Sequence, residues 1–273
     1  MPLPMDKAVI LARGLGTRMK RADAQAPLDA LQEAAAETGV KALIPVGRPF
    51  LDYVLSALAD AGHRRVCLVV APDHQALRDY YQERVRPRRL SIEFAVQEHP
   101  RGTADAVAAA ESFAADDPFL VVNSDNYYPV EALARLRHED GFAVALFERE
   151  SMLSGSNIPA ERIREFAVGK IDARGCLQEI IEKPDPAALA SMPQPLWLSM
   201  NCWRFGPAIF QACRAIRPSR RGELELPDAV QYTIDQLGHP FRVVGVRAPV
   251  LDLTSRRDVA AVAPKLAGIE VSL

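Results

Sequence analysis

The feature that most constrains this chain is a short apolar run, Ala8-Val9-Ile10-Leu11-Ala12, that passes without a break into Arg13-Gly14-Leu15-Gly16-Thr17-Arg18. Five aliphatic residues have the length of a strand, and the two glycines that follow permit a tight turn. Such a turn at the carboxyl end of a strand lets backbone N–H groups approach phosphate oxygens without interference from a Cβ, so the pattern points to a phosphate-bearing ligand. Two familiar phosphate loops are excluded. Met19 stands where the third glycine of the dinucleotide fingerprint G-x-G-x-x-G belongs, and no Gly-Lys-Ser/Thr follows to complete a Walker A loop.

Downstream of this turn, β-branched apolar runs alternate with helical patterns. Strands are expected over 7–12, 64–71, 90–97, 118–123 and 142–147, with helices over 73–85, 103–113 and 130–138. A further helix over 49–61 carries Phe50, Val54, Leu55 and Leu58 on one face and stops at Gly62. This alternation predicts an α/β fold with a Rossmann-like, mostly parallel (mixed) sheet flanked by helices. The second half is more irregular and richer in β structure. A hairpin is expected from 163–171 and 177–181 around Asp172-Ala173-Arg174-Gly175, with another strand over 197–205 and a surface excursion over 184–195, where four prolines fall. Helices over 207–215, 227–237 and 255–266 and a strand over 241–246 complete the reading. With no internal repeat or low-complexity linker, one domain over 1–273 is expected, divided at about residue 150 into a nucleotide-side half and a second half.

Composition narrows the partners. The 33 basic and 35 acidic residues leave a net charge of −2, which removes the strong positive field that non-specific nucleic-acid binding needs. No apolar run reaches membrane-spanning length and no signal-peptide core precedes the glycine turn, so a cytoplasmic protein without a membrane partner is expected. Cys67, Cys176, Cys202 and Cys213 form no C-x-x-C pair and the five histidines form no H-E-x-x-H, which argues for reduced thiols and against a zinc site. Only 6 of the 33 basic residues are lysines, so a lysine in a motif carries more information than usual.

Several blocks recur in one order along the chain. Leu11-Ala12-Arg13-Gly14-Leu15-Gly16-Thr17-Arg18 is followed by Lys41-Ala42-Leu43-Ile44-Pro45-Val46 with Arg48-Pro49-Phe50-Leu51, then by Gln97 to Ala106, which contains Gly102-Thr103-Ala104. Asn123-Ser124-Asp125-Asn126, Glu182-Lys183-Pro184 and Leu251-Asp252-Leu253-Thr254 follow. Together, from residue 11 to residue 254, these resemble the sugar-1-phosphate nucleotidyltransferases, and among them the uridylyl- and thymidylyltransferases. These enzymes join a nucleoside triphosphate to a sugar 1-phosphate and release pyrophosphate.

The resemblance implies roles residue by residue. Leu11, Ala12, Gly14, Gly16, Thr17, Gln97, Gly102 and Thr103 would bind the nucleotide. Arg18 and Lys41 would face the triphosphate, and Lys183 would hold the sugar phosphate, as catalytic residues. Asp125 and Asp252 would hold Mg²⁺ against the α-phosphate, while Glu182, Asn201 and Ala167 would lie on the sugar side. The implied partners are a nucleoside triphosphate and a sugar 1-phosphate, glucose 1-phosphate by default, with homo-oligomerisation also open.

The chemistry is consistent with these residue types. Two polyanions must be brought together against their repulsion, which calls for cations and a metal. A phosphate monoester is already an anionic nucleophile, so no histidine base is needed. The Gln97 amide offers a donor and an acceptor to a pyrimidine edge, favouring UTP or dTTP over GTP, though it also suits a polar strand end. Three residues depart from the family pattern: Arg13 and Ala167 each replace a commonly small residue or glycine, and Ser124 replaces a glycine. Arg13 either turns outward or adds a phosphate or ribose contact. The segment between Arg18 and Lys41 is long, and Asp29 to Thr38 reads as a helix stopped by Gly39; it serves as a lid, as a subunit contact or as a passive surface insertion. A catalytically silent module on the same fold is the other functional class left open.

Overall fold

A computed structural model describes residues 5–273. Its centre is a nine-stranded sheet in the order β3-β2-β1-β4-β9-β6-β10-β8-β7. The strands are β1 (Lys7–Leu11), β2 (Arg65–Val70), β3 (Ser91–Val96), β4 (Phe119–Asn123), β5 (Asn126–Tyr127), β6 (Phe142–Glu148), β7 (Val168–Ile171), β8 (Cys176–Ile181), β9 (Trp197–Phe205), β10 (Phe241–Val246) and β11 (Leu251–Asp252). β1 runs parallel to both neighbours, with Ile10 opposite Leu68 on one side and Val122 on the other. β9 is antiparallel to β4 and β6 and joins the parallel first half to the mixed second half. The sheet is therefore mixed, as the sequence pattern predicts.

The period-two alternation of β1 explains how the layers form. Ala8 and Ile10 point to one face, where they join Phe50, Leu51, Leu55 and Leu58 of the helix Phe50–Asp60. Val9 points to the other face, where Val107, Trp203, Phe205 and Phe210 pack. Both faces of β1 are covered, so its side chains read as a continuous apolar run rather than an alternating one. Among the described residues, no helix is long and apolar enough to cross a membrane.

The hairpin forms, but it is shorter than expected. Residues 163–167 are not strand: Pro159 opens a one-turn helix, Ala160–Ile163, and pairing begins only at Val168. The Asp172 carboxylate accepts from the N–H groups of Arg174 and Cys176, both at 2.9 Å, and so closes the turn. The expected helix over 73–85 changes at Tyr80 into a wider π turn, and the one over 103–113 is interrupted at Ala110. The proline-rich excursion contains the helix Pro186–Ser191, and the helix Arg149–Gly155 was not marked by the sequence pattern.

A two-stranded ribbon matters most for position. β5 and β11 pair antiparallel outside the main sheet, with Asp252 opposite Asn126. The ribbon carries the chain from residue 252 back to the end of β4, where the Leu253 N–H donates to the Asp125 carbonyl at 2.8 Å.

Candidate active site

At the carboxyl ends of β1, β3 and β4 lies a cleft of about 480 Å³. Its lining includes Leu11, Ala12, Gly14, Gly16, Thr17, Gln97, Gly102 and Thr103, all the residues expected to face a nucleotide. Arg18, Lys41, Asp125 and Asn201 line it as well. Open α/β sheets bind ligands at this edge, where strand ends release their N–H groups and loops diverge. No histidine is among the lining residues.

The glycine turn is held by close backbone packing. Gly16 has φ +60°, and a Cβ there would fall 2.2 Å from the Gly39 carbonyl oxygen. Gly39 ends the helix Ala30–Thr38, whose Asp29 and Gln32 form a reciprocal capping box. The inserted segment is therefore packed onto the turn. It is also bound to the helix Arg256–Leu266: the buried Arg256 guanidinium donates to both Glu33 oxygens at 2.5 and 2.7 Å and to the Met19 carbonyl at 3.0 Å. Arg256 holds the Glu33 carboxyl below the usual carboxylate range, and Arg257 does the same to Asp23.

Arg13 turns inward and lines the cleft. Its Nε donates to the Gln97 carbonyl at 3.3 Å, while its buried Nη1 has no partner among the described residues. Arg18, on the short helix Thr17–Lys20, is exposed and makes no hydrogen bond or ion pair among the described residues. A guanidinium that is unpaired in an otherwise ordered cleft is free to meet an anionic ligand.

The two aspartates are near neighbours and each has a cation. Lys41 Nζ pairs with Asp125, and Arg162 bridges Asp252 and Asp258. Asp252 is buried just behind the lining residues. The Asn126 side-chain amide donates to its carboxylate at 3.0 Å, and the Asn157 side chain brackets its backbone, accepting from the N–H at 2.9 Å and donating to the carbonyl at 2.8 Å. Burial pushes the Asp252 carboxyl above its ordinary range, and the negative charge of Asp125 raises it further. Two mutually repelling carboxylates are a donor set suited to Mg²⁺, which takes one or two protein carboxylates and completes its octahedron with phosphate and water oxygens. No larger cluster of metal-ligating side chains occurs among the described residues.

On the other side of the cleft, backbone conformation takes over. A bulge in β9, where Ala145 pairs with Cys202 and Leu146 with Ser199, brings Asn201 into the lining with φ +55°. Lys183 is also left-handed, at φ +43°, but it and Glu182 are exposed beyond the lining residues. Ala167 is buried outside the lining, and its carbonyl accepts from the Ser199 N–H at 2.9 Å. Partial withdrawal from water and the nearby Glu225 raise the Glu182 carboxyl, against the lowering influence of Arg221 and Lys183. Arg221, the cleft-lining Glu223, and Asn157 and Arg162 of the clamp around Asp252 belong to no sequence motif, whereas Asn126, the third member of that clamp, lies in the Asn123-Ser124-Asp125-Asn126 block. Arg220-Arg221-Gly222-Glu223, an isolated charged stretch before a helix, was the available signal for the first two.

Comparison with known proteins identifies the family and the fold. The family model described as nucleotidyl transferase matches residues 7–245, and the chain belongs to that family. A low-salt glycan biosynthesis nucleotidyltransferase, Agl11, of Haloferax volcanii is 28% identical over 84% of this chain and 57% of its own length. The UTP–glucose-1-phosphate uridylyltransferase AglF of the same organism is 27% identical over 84% of this chain and 83% of its own. A glucose-1-phosphate thymidylyltransferase of Streptomyces antibioticus is 31% identical over 84% and 57% respectively. The chain thus spans little more than half the length of some of the relatives it matches. A crystal structure of UDP-glucose pyrophosphorylase with UDP-glucose shares the fold, with a TM-score of 0.72 and 17% identity over 96% of this chain and 98% of the other.

Proposed function

We propose that the protein transfers a nucleotidyl group from a nucleoside triphosphate, UTP or dTTP, to a sugar 1-phosphate, with glucose 1-phosphate as the default acceptor. The observation that carries this reading is the convergence of Arg13, Arg18 and Lys41 with Asp125 in the one cleft that also contains the glycine turn. A triphosphate needs that positive charge, and a leaving pyrophosphate needs it more.

In this reading, a phosphate oxygen of the sugar 1-phosphate attacks the α-phosphorus in line, and the new P–O bond forms as the bond to the β-phosphate oxygen breaks. The electron pair leaves with pyrophosphate. Arg18 and Lys41 hold the β- and γ-phosphates and stabilise the charge that develops there. Lys183 orients the sugar phosphate, while Glu182 accepts hydrogen bonds from sugar hydroxyls and Asn201 accepts from or donates to them. Asp125 and Asp252 would hold Mg²⁺, which neutralises charge on the α-phosphate. Lys41 then exchanges its ion pair with Asp125 for the incoming phosphates.

The test is pyrophosphate release with Mg²⁺ across five nucleoside triphosphates and a panel of sugar 1-phosphates. UTP or dTTP with a hexose 1-phosphate is expected to give the highest kcat/KM. Absence of release with every pair, from folded protein, would replace this reading with the catalytically silent module.

A further inference from the structure

What Gln97 selects depends on which end of its amide reaches the base, and its neighbours fix that end. Nε2 donates to the Gly102 carbonyl at 3.0 Å and to a carboxylate oxygen of Asp105 at 2.8 Å. Both partners are acceptors only, so the amide end between them has to be the NH₂; the flipped amide would set Oε1 against two oxygens. Both amide hydrogens are consumed. Oε1 accepts no hydrogen bond from the described residues and is the unspent group that Gln97 brings to the cleft.

The scaffold around this pair is rigid. Asp105 lies in the first turn of the helix Thr103–Ala109. Gly102, at φ +117°, lies so close to residue 224 that a Cβ would fall 2.4 Å from its carbonyl oxygen. The Ala104 N–H donates to that carbonyl at 2.9 Å, and the Leu226 N–H donates to Thr103 Oγ1 at 2.8 Å. At the other end, Arg13 holds the Gln97 main-chain carbonyl.

We infer that Asp105 is a specificity-determining positioning residue, holding Gln97 as an acceptor so that the cleft selects nucleobases whose pairing-edge ring nitrogen carries a hydrogen. Uracil, thymine and guanine have that N–H. Cytosine and adenine have a lone pair there, which would face the lone pairs of Oε1. Gln97 cannot turn its NH₂ toward them without giving up Asp105 and Gly102. The inference rests on the proposed nucleotidyl transfer at this cleft, but it concerns a residue that need not touch the nucleotide.

The test compares wild type, Asp105→Ala and Asp105→Asn for kcat/KM with UTP, dTTP, GTP, CTP and ATP, and for calorimetric binding of UTP and CTP with Mg²⁺. Wild type is expected to prefer its best N–H-bearing nucleotide over CTP and ATP by about 100-fold. Asp105→Ala frees the amide and should shrink that ratio about 10-fold, mainly through gain with CTP or ATP. Asp105→Asn retains an acceptor oxygen, is the control for folding, and should keep the ratio. An unchanged ratio in Asp105→Ala, or a wild type that prefers CTP or ATP, overturns the inference while leaving nucleotidyl transfer standing. If no substrate pair releases pyrophosphate, the proposed function fails, and the UTP-to-CTP binding ratio then decides on Asp105 alone; equal affinities, or no binding, overturn it.

Discussion

At the amino ends of the parallel strands, Lys7 and Arg204 are buried and their donors are met by the chain itself. Lys7 Nζ donates to the Ala114 carbonyl at 2.9 Å and pairs with Asp117 at 2.7 Å. Arg204 donates to the carbonyls of Gly141, Arg137 and Leu136 around the end of the helix Val130–His138, where carbonyls lack helical partners. At the carboxyl ends, by contrast, and among the described residues, Arg18 is unpaired, Arg13 keeps a buried nitrogen without a partner, and Lys41 has only the carboxylate of Asp125. Lys7 and Arg204 therefore act as closures at one end of the sheet, while Arg13, Arg18 and Lys41 are kept in reserve at the other. Net charge, near zero over the whole chain, reveals neither arrangement.

The largest effect should come from removing the two carboxylates, one paired with the reserved Lys41 and the other with Arg162. Asp125→Ala and Asp252→Ala are each expected to lower pyrophosphate release about 1,000-fold or more. Arg162 keeps Asp258 when Asp252 is lost, so circular dichroism should show a folded chain; a double variant with wild-type turnover would remove the metal assignment. Next comes a paired experiment on the two ends. Arg18→Ala should lower kcat/KM about 100-fold with an unchanged Tm, because it deletes no hydrogen bond or ion pair among the described residues. Arg204→Met should do the reverse, costing about 2–3 kcal/mol of stability by stranding helix-end carbonyls while leaving kcat of the folded fraction intact. If activity and Tm fall together in both variants, the separation of the two ends is wrong.

A third effect is a pH dependence at the amino end, confined to acid conditions. Burial, and then the charge of Arg137, push the His63 imidazole from the ordinary 6.5 down to about 3. The unfolded chain therefore takes up the proton first. Its contribution to stability is complete above about pH 6.5 and is lost as the pH falls toward 3. Urea denaturation of His63→Leu across this window should show a flatter pH profile than wild type, and an identical slope would count against the buried neutral imidazole.

Much of the fold was legible because it is local. The helix Val130–His138 and the strands Trp197–Phe205 and Phe241–Val246 fall where the apolar period places them. Residues 163–167 read as strand because their apolar residues are scattered, whereas Pro159 and a buried Ile163 serve a single helical turn. In the site, Gly14, Gly16, Arg18 and Lys41 were visible because their motifs are contiguous. Arg162 and Asn157 were not, because each acts on Asp252 across 90 or more residues and only a two-residue ribbon brings them there. The inward turn of Arg13 depends on a carbonyl 84 residues away, which no local pattern encodes.

The contact between Gly16 and Gly39 has a wider consequence. Backbone meets backbone there: a Cβ on Gly16 would strike the Gly39 carbonyl, and one on Gly39 would strike the Leu15 carbonyl at 2.8 Å as well as the Lys20 side chain. The stretch before residue 39 is therefore held to one spot by its last residue, as well as by Glu33 against Arg256. Neither glycine can gain even a methyl group while that spot is kept. The turn and the inserted segment thus meet at a point that accepts no added volume, and the end of the segment packs directly against the turn.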